Sequence, residues 1–140
     1  VNGRNFVKTM LKLGKDRETI RVVADQHGCP TYAGDLADAI IAISGQVGSG
    51  LKGKWGTYHY CGKGHTTWHG FAEAIFEMAK SLVSLKVQHV EPISTGAYPT
   101  PAKRPANSVL DCSRIQTEFG IRNRPWKESL AEMLKILLDD

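Results

Sequence analysis

The residues best placed to do chemistry lie in the stretch 21–37, Arg-Val-Val-Ala-Asp-Gln-His-Gly-Cys-Pro-Thr-Tyr-Ala-Gly-Asp-Leu-Ala. Asp25, Gln26 and Thr31 fall in a turn punctuated by Gly28 and Pro30, after the β-branched pair Val22-Val23 and before a helix-patterned run. β-branched residues suit a strand, glycine admits a positive φ, and proline fixes its own φ while pushing Cys29 to extended geometry. Polar groups at the carboxyl end of a strand, facing a helix N-terminus, are where α/β proteins hold anionic ligands. Gln26 and Thr31 can hydrogen-bond polar groups of such a ligand. The competing roles are turn-stabilising bonds for Gln26 and a helix cap for Thr31, an oxygen at that position accepting from free first-turn N–H groups. Asn5, at another helix start, can cap and also offer its amide to a phosphate. Arg104 lies in a proline-rich loop beside Lys103. It can present its planar fork to an anionic group or stand solvated.

Other constellations are weaker. Cys61-x3-His65-x3-His69 offers three zinc-type side chains, but no fourth is evident and the spacing matches neither common structural-zinc pattern. Gly62-x-Gly64 imitates the opening of a dinucleotide loop. Thr67 occupies the third glycine position and no suitably placed acid follows, so the segment reads as a tight turn with Thr66 or Thr67 as cap. No Gly-x-Ser-x-Gly elbow is present. Arg122, Arg124 and Lys127 around Trp126 form too short a basic patch for nucleic acid and read as a solvated face. Pro30, Tyr32 and Trp126 read as packing residues.

The elements that must position these groups follow from apolar spacing. A helix capped by Asn2 or Asn5 runs to about Leu13, with Phe6, Val7, Met10 and Leu11 on its apolar face and Gly14 as a stop. Residues 20–24 form a strand. A helix capped by Thr31 or Asp35 runs from about Asp35 to Gly45, followed by a flexible Gly-Ser loop. Residues 56–61 read as a second strand, 68–82 as a helix and 87–93 as a third strand. Prolines make 98–105 an ordered surface loop. Asp111 or Ser113 caps a short helix ending at Gly120, and Pro125 opens a final helix.

A chain of 140 residues, 41% hydrophobic and 23% charged, has the size and composition of one soluble globular domain. No apolar run nears the roughly 18 residues that span a bilayer. The N-terminus is no signal peptide, and the missing initiator Met points to an excised domain or processed product. Three widely spaced cysteines, Cys29, Cys61 and Cys112, read as free thiols in a reducing cytoplasm. The net charge of +4 suits an anionic ligand.

Asp25-Gln26-x-Gly28-x-Pro30-Thr31 followed by Asp35-Leu36-Ala37 resembles the signature of dTDP-4-dehydrorhamnose reductases, extended short-chain dehydrogenases that reduce a nucleotide-linked keto sugar with NAD(P)H. Asn5-Phe6-Val7, the segment 104–111 and Pro125-Trp126-Lys127-Glu128-Ser129-Leu130 are similar to the same family, in the same order. The resemblance covers nearly the whole chain but only the family's C-terminal half. It implies a small α/β substrate-binding domain with about three short strands and four to five helices. It also implies that a nucleotide sugar binds through Asn5, Gln26, Thr31 and Arg104. The reaction implied for the whole enzyme is hydride delivery to C4 of the keto sugar from NADPH or NADH.

No tyrosine here has a lysine four residues on: Leu36, Gly62, Gly64 and Ala102 follow Tyr32, Tyr58, Tyr60 and Tyr98 at that spacing. The Gly-rich pyrophosphate loop is missing too. The resemblance therefore implies that this chain binds no cofactor, that its N-terminal Rossmann partner domain is absent, and that it does not turn over alone. Strand 58–61 resembles one that joins the cofactor domain's sheet, which implies self-association or local disorder around 56–66 in the isolated chain. A relative of the same fold kept as a regulatory subunit, similar to the methionine adenosyltransferase β-subunit, is the alternative. No nucleic-acid or membrane partner is expected.

Overall fold

The computed structural model describes residues 3–50 and 53–139. Five helices and four short strands follow in the order α1 (Phe6–Asp16), β1 (Thr19–Val23), β2 (His27–Gly28), α2 (Ala33–Gly48), β3 (Thr66–Thr67), α3 (Trp68–Ala79), β4 (His89–Ile93), α4 (Ser113–Phe119) and α5 (Trp126–Leu138). A 3-10 turn at Thr95–Ala97 follows β4.

β1 and β4 pair in parallel from Thr19↔His89 to Val23↔Ile93. Pro92 sits inside β4, which a two-stranded sheet tolerates because each strand has a free edge. Ile20 and Val22 alternate inward on β1 and join Val7, Met10 and Leu11 of α1, Ile75 and Phe76 of α3, and Leu130 and Leu134 of α5 in the main core. A smaller core of Cys61, Cys112, Ile115 and Phe119 lies under α4.

Several element ends differ from expectation for identifiable reasons. Gly14 does not stop α1. It lies inside the helix, where an added Cβ would stand 2.7 Å from the Phe76 ring, and its carbonyl accepts from Lys86 and Val87 N–H. α2 begins at Ala33, and Thr31 does not cap it: Tyr32 holds the cap position with no side-chain bond. Residues 56–61 belong to no ladder. Side chains occupy some of their backbone groups instead, Arg114 Nη1 donating to Thr57 O at 3.1 Å and Asn123 Nδ2 donating to Cys61 O. The short antiparallel pair His27–Gly28 with Thr66–Thr67 is too brief to have carried an alternating pattern. Gly120 ends α4 with φ +68, the left-handed conformation glycine adopts without a Cβ penalty.

Candidate functional site

Four helices begin at one cavity of about 520 Å³. Phe6, Ala33, Trp68 and Trp126 are the first residues of α1, α2, α3 and α5, and all four line it. A helix N-terminus carries unpaired N–H groups and a partial positive charge. Two of these ends are satisfied by side chains: Asn5 Oδ1 accepts from Lys8 N at 2.9 Å, and Thr67 Oγ1 accepts from Gly70 N at 3.1 Å. At α2 and α5 the cap positions are held by Tyr32 and Pro125, which make no side-chain cap bond. No carboxylate, lysine or arginine side chain lines the cavity among the described residues, but His27 does, and the lining Ser129 donates through Oγ to the Asp35 carboxylate in the first turn of α2.

Aromatic rings form one wall. Phe6 lies 4.8 Å from Trp68 and 5.5 Å from Phe71, the latter nearly parallel, and Phe71 meets Trp126 edge-on at 5.6 Å. Flat apolar surface beside polar N–H groups suits a ligand with both a ring and an anionic group.

Of the residues singled out from the sequence, Asn5, Gln26 and Thr31 all line this cavity. With Asn5 Oδ1 committed to the cap, its Nδ2 is the group left to donate. Thr31 Oγ1 donates to Cys29 O at 3.0 Å and accepts from Gly62 N at 3.3 Å, stapling the turn to the segment before β3. Gln26 is 7% exposed, and its Nε2 donates to Thr95 Oγ1 at 3.0 Å. Arg104 is not in the wall. It is exposed, with its guanidinium 5.9 Å from the centre of the Trp68 ring, at the aromatic side of the cavity. Pro30, Tyr32 and Trp126, read as packing, also face the cavity. The sequence reading missed Trp68 and Phe71 as wall residues. The signal was there in Thr67, whose cap places the next residue at a helix mouth.

The remaining candidates part company. His69 Nε2 bonds Val90 O at 3.0 Å and its Nδ1 faces Glu73, His65 lies near the His27 ring, and Cys61 is buried beside Cys112. Arg124 is no solvated residue: it pairs with Glu132 at 2.6 Å and reaches Asp35 at 3.5 Å, joining α5 to α2.

The Gly62-x-Gly64 turn does not fit a dinucleotide. An added Cβ on Gly62 would lie 2.2 Å from Pro30 O, and Lys63 exchanges backbone bonds with Arg124 and Trp126. The close approach there serves the protein's own chain, where a pyrophosphate loop would leave it for the ligand.

Fold and cavity together define a small α/β domain in which four helices start at one cavity. The chain belongs to the RmlD substrate binding domain family, whose model matches residues 1–138. It is 48% identical over 129 residues to the dTDP-4-dehydrorhamnose reductase of Aggregatibacter actinomycetemcomitans, covering 91% of this chain and 44% of that protein. Against the Burkholderia thailandensis enzyme of the same name it is 40% identical over 142 residues, covering 97% and 48%. The crystal structure of the Clostridium acetobutylicum dTDP-4-dehydrorhamnose reductase superposes with a TM-score of 0.85 at 38% identity, covering 97% of this chain and 45% of that one. The Bacillus anthracis enzyme, solved in complex with NADP, gives 0.79 at 39% identity, covering 98% and 44%. The chain thus spans under half the length of these relatives.

Proposed function

We propose that this chain is the nucleotide-sugar-binding part of an NADPH-dependent reductase that converts dTDP-4-dehydrorhamnose to dTDP-rhamnose. The observation that carries the reading is the cavity where four helices begin, two of them without a side-chain cap, within a chain of the RmlD substrate binding family. The start of α2, which has no side-chain cap, suits the diphosphate, the aromatic wall suits the base or the hexose face, and Asn5, Gln26 and Thr31 supply polar contacts. Arg104 approaches from the Trp68 side and adds an exposed cation. In this reading the cofactor is held by the part of the relatives' length that this chain does not span, and the isolated 140 residues do not turn over.

The test has two arms. Calorimetry on the full natural polypeptide carrying this sequence is expected to detect dTDP binding, and keto-sugar-dependent NADPH oxidation is expected of it. The isolated chain is expected to oxidise no NADPH above a blank. Binding of dTDP without any turnover by the full polypeptide would favour a regulatory relative, and absence of dTDP binding would overturn the site itself.

A further inference from the structure

The turn after β4 holds a proton count that has a consequence at the cavity. Asp25, at the end of β1, accepts from Thr95 N at 2.9 and 3.0 Å and from Thr95 Oγ1 at 2.6 Å. These bonds hold its carboxyl below the usual carboxylate range, Thr95's hydroxyl acting first and its backbone N–H second. An ionised carboxylate only accepts, so the single hydroxyl proton of Thr95 is given to Asp25. Towards Gln26, 3.0 Å away, Thr95 Oγ1 can then only accept. The amide of Gln26 must turn its NH2 to Thr95, and its carbonyl oxygen takes the other direction.

That carbonyl belongs to a residue that is 7% exposed and lines the cavity, and among the described residues no protein donor meets it. We infer that Asp25 and Thr95 are positioning residues that fix Gln26 Oε1 as a hydrogen-bond acceptor in the cavity, selecting an N–H or O–H donor on the bound nucleotide sugar. Unclamped, a glutamine amide presents either end and discriminates poorly. Clamped, it accepts only. The inference rests on the nucleotide-sugar reading and adds the direction of one bond. The donor has two sources: the base or ribose, and the hexose hydroxyls.

The experiment is calorimetry on the full natural polypeptide with dTDP and with dTDP-glucose, for wild type, Gln26→Leu, Thr95→Val, Thr95→Ser and the Gln26→Leu/Thr95→Val pair. Thr95→Val keeps the side-chain shape and removes the hydroxyl. It is expected to weaken binding about three- to tenfold, the effect of one neutral hydrogen bond. Thr95→Ser restores the hydroxyl and is expected to bind within about twofold of wild type. In the Gln26→Leu background, Thr95→Val is expected to cost nothing further, since its effect passes through the amide; a merely structural role would cost the same in both backgrounds. A loss already present with dTDP assigns the donor to base or ribose, and a loss confined to dTDP-glucose assigns it to the hexose. Thr95→Val binding both ligands as wild type does, or losing as much without Gln26, overturns the inference alone. A wild type that binds neither ligand overturns the nucleotide-sugar reading and this inference with it.

Discussion

Arg104 and Cys61 illustrate opposite limits of what a single side chain can do here. Arg104 is exposed, its guanidinium stands over the face of Trp68, and a residue of a surface loop contributes little to stability. If its fork meets the diphosphate, Arg104→Ala should cost about 1.5–3 kcal/mol of binding, roughly ten- to hundredfold in affinity for dTDP. Arg104→Lys should recover only part, because a point charge does not reproduce two parallel bonds. Wild-type affinity in the alanine variant would return Arg104 to the solvent. Cys61 is buried, its sulfur 3.6 Å from that of Cys112, with Cys29 packed against the same cluster. Burial first, then hydrogen bonding with Cys112 and Cys29, pushes its thiol up to about 12. An acid whose folded value lies above its unfolded one, about 8.5, stabilises the fold below that unfolded value, and this is lost as pH rises towards about 12. Two outcomes are expected: Cys61 escapes iodoacetamide at pH 8 until denaturant is added, and urea midpoints fall between pH 9 and pH 11. Mass spectrometry of the alkylated peptides checks the first, since rapid native labelling at Cys61 contradicts its burial. That the three thiols are free was legible in their odd, scattered spacing. That they meet was not, because positions 29, 61 and 112 are brought together only by tertiary packing. The same holds for Thr95, whose partners Asp25 and Gln26 lie 70 and 69 residues away.

At the scale of elements, local signals worked where they were local and failed where packing overruled them. Asn5, Thr67 and Gly120 act as the caps their types suggested, because a cap is a bond within one turn. Gly14 has the local signature of a helix stop, yet α1 continues through it, because Phe76 needs the space a side chain would fill. Thr31 has the type and position of a cap but spends its oxygen on Cys29 and Gly62. The cavity inherits this arrangement, and it can be broken in two distinguishable ways. Leu134 is fully buried in α5, so Leu134→Ala should cost about 2–5 kcal/mol of stability through a cavity in the main core. Gly62→Ala would drive a Cβ to within 2.2 Å of the Pro30 carbonyl, and a backbone atom cannot swing away as a side chain end can. Overpacking of this kind costs about 1–3 kcal/mol or more, and here the strain falls on the turn that lines the cavity. Gly62→Ala should therefore lose dTDP affinity at temperatures where it is still folded, whereas folded Leu134→Ala should bind nearly as wild type. Thermal melts beside calorimetry separate the two, and equal affinity in both variants would detach the Gly62 contact from the site.

The whole molecule presents a surface that its own core does not use. Ala39 is the one buried residue of α2 among those described, while Leu36, Ile40, Ile41 and Val47 are between 40% and 68% exposed. Residues 56–61 join no ladder among the described residues, with Trp55 at 83% exposure just before them. Exposed apolar surface marks an interaction site or a liability to associate, and a segment outside any ladder adds backbone groups that can pair between chains. The strand expected at 56–61 is not formed: its residue types have a strand-like pattern, but these residues join no ladder among the described residues, and Arg114 and Asn123 take the carbonyls of Thr57 and Cys61. The isolated chain is therefore expected to self-associate with rising concentration. Ile40 and Ile41 are the most exposed large residues of α2, so replacing both with lysine removes apolar area and adds two positive charges to a chain already at +4. Such surface changes typically move stability by no more than about 0.5 kcal/mol each. Light scattering should find the double variant monomeric at concentrations where the wild-type chain is not. Hydrogen exchange should then report which surface is covered: protection at α2 on association assigns the contact to the helix, and protection at 56–61 assigns it to the extended segment. A wild-type chain that stays strictly monomeric, with amides of 57–61 as protected as those of β1, would mean the apolar face and the free backbone are both satisfied within one molecule.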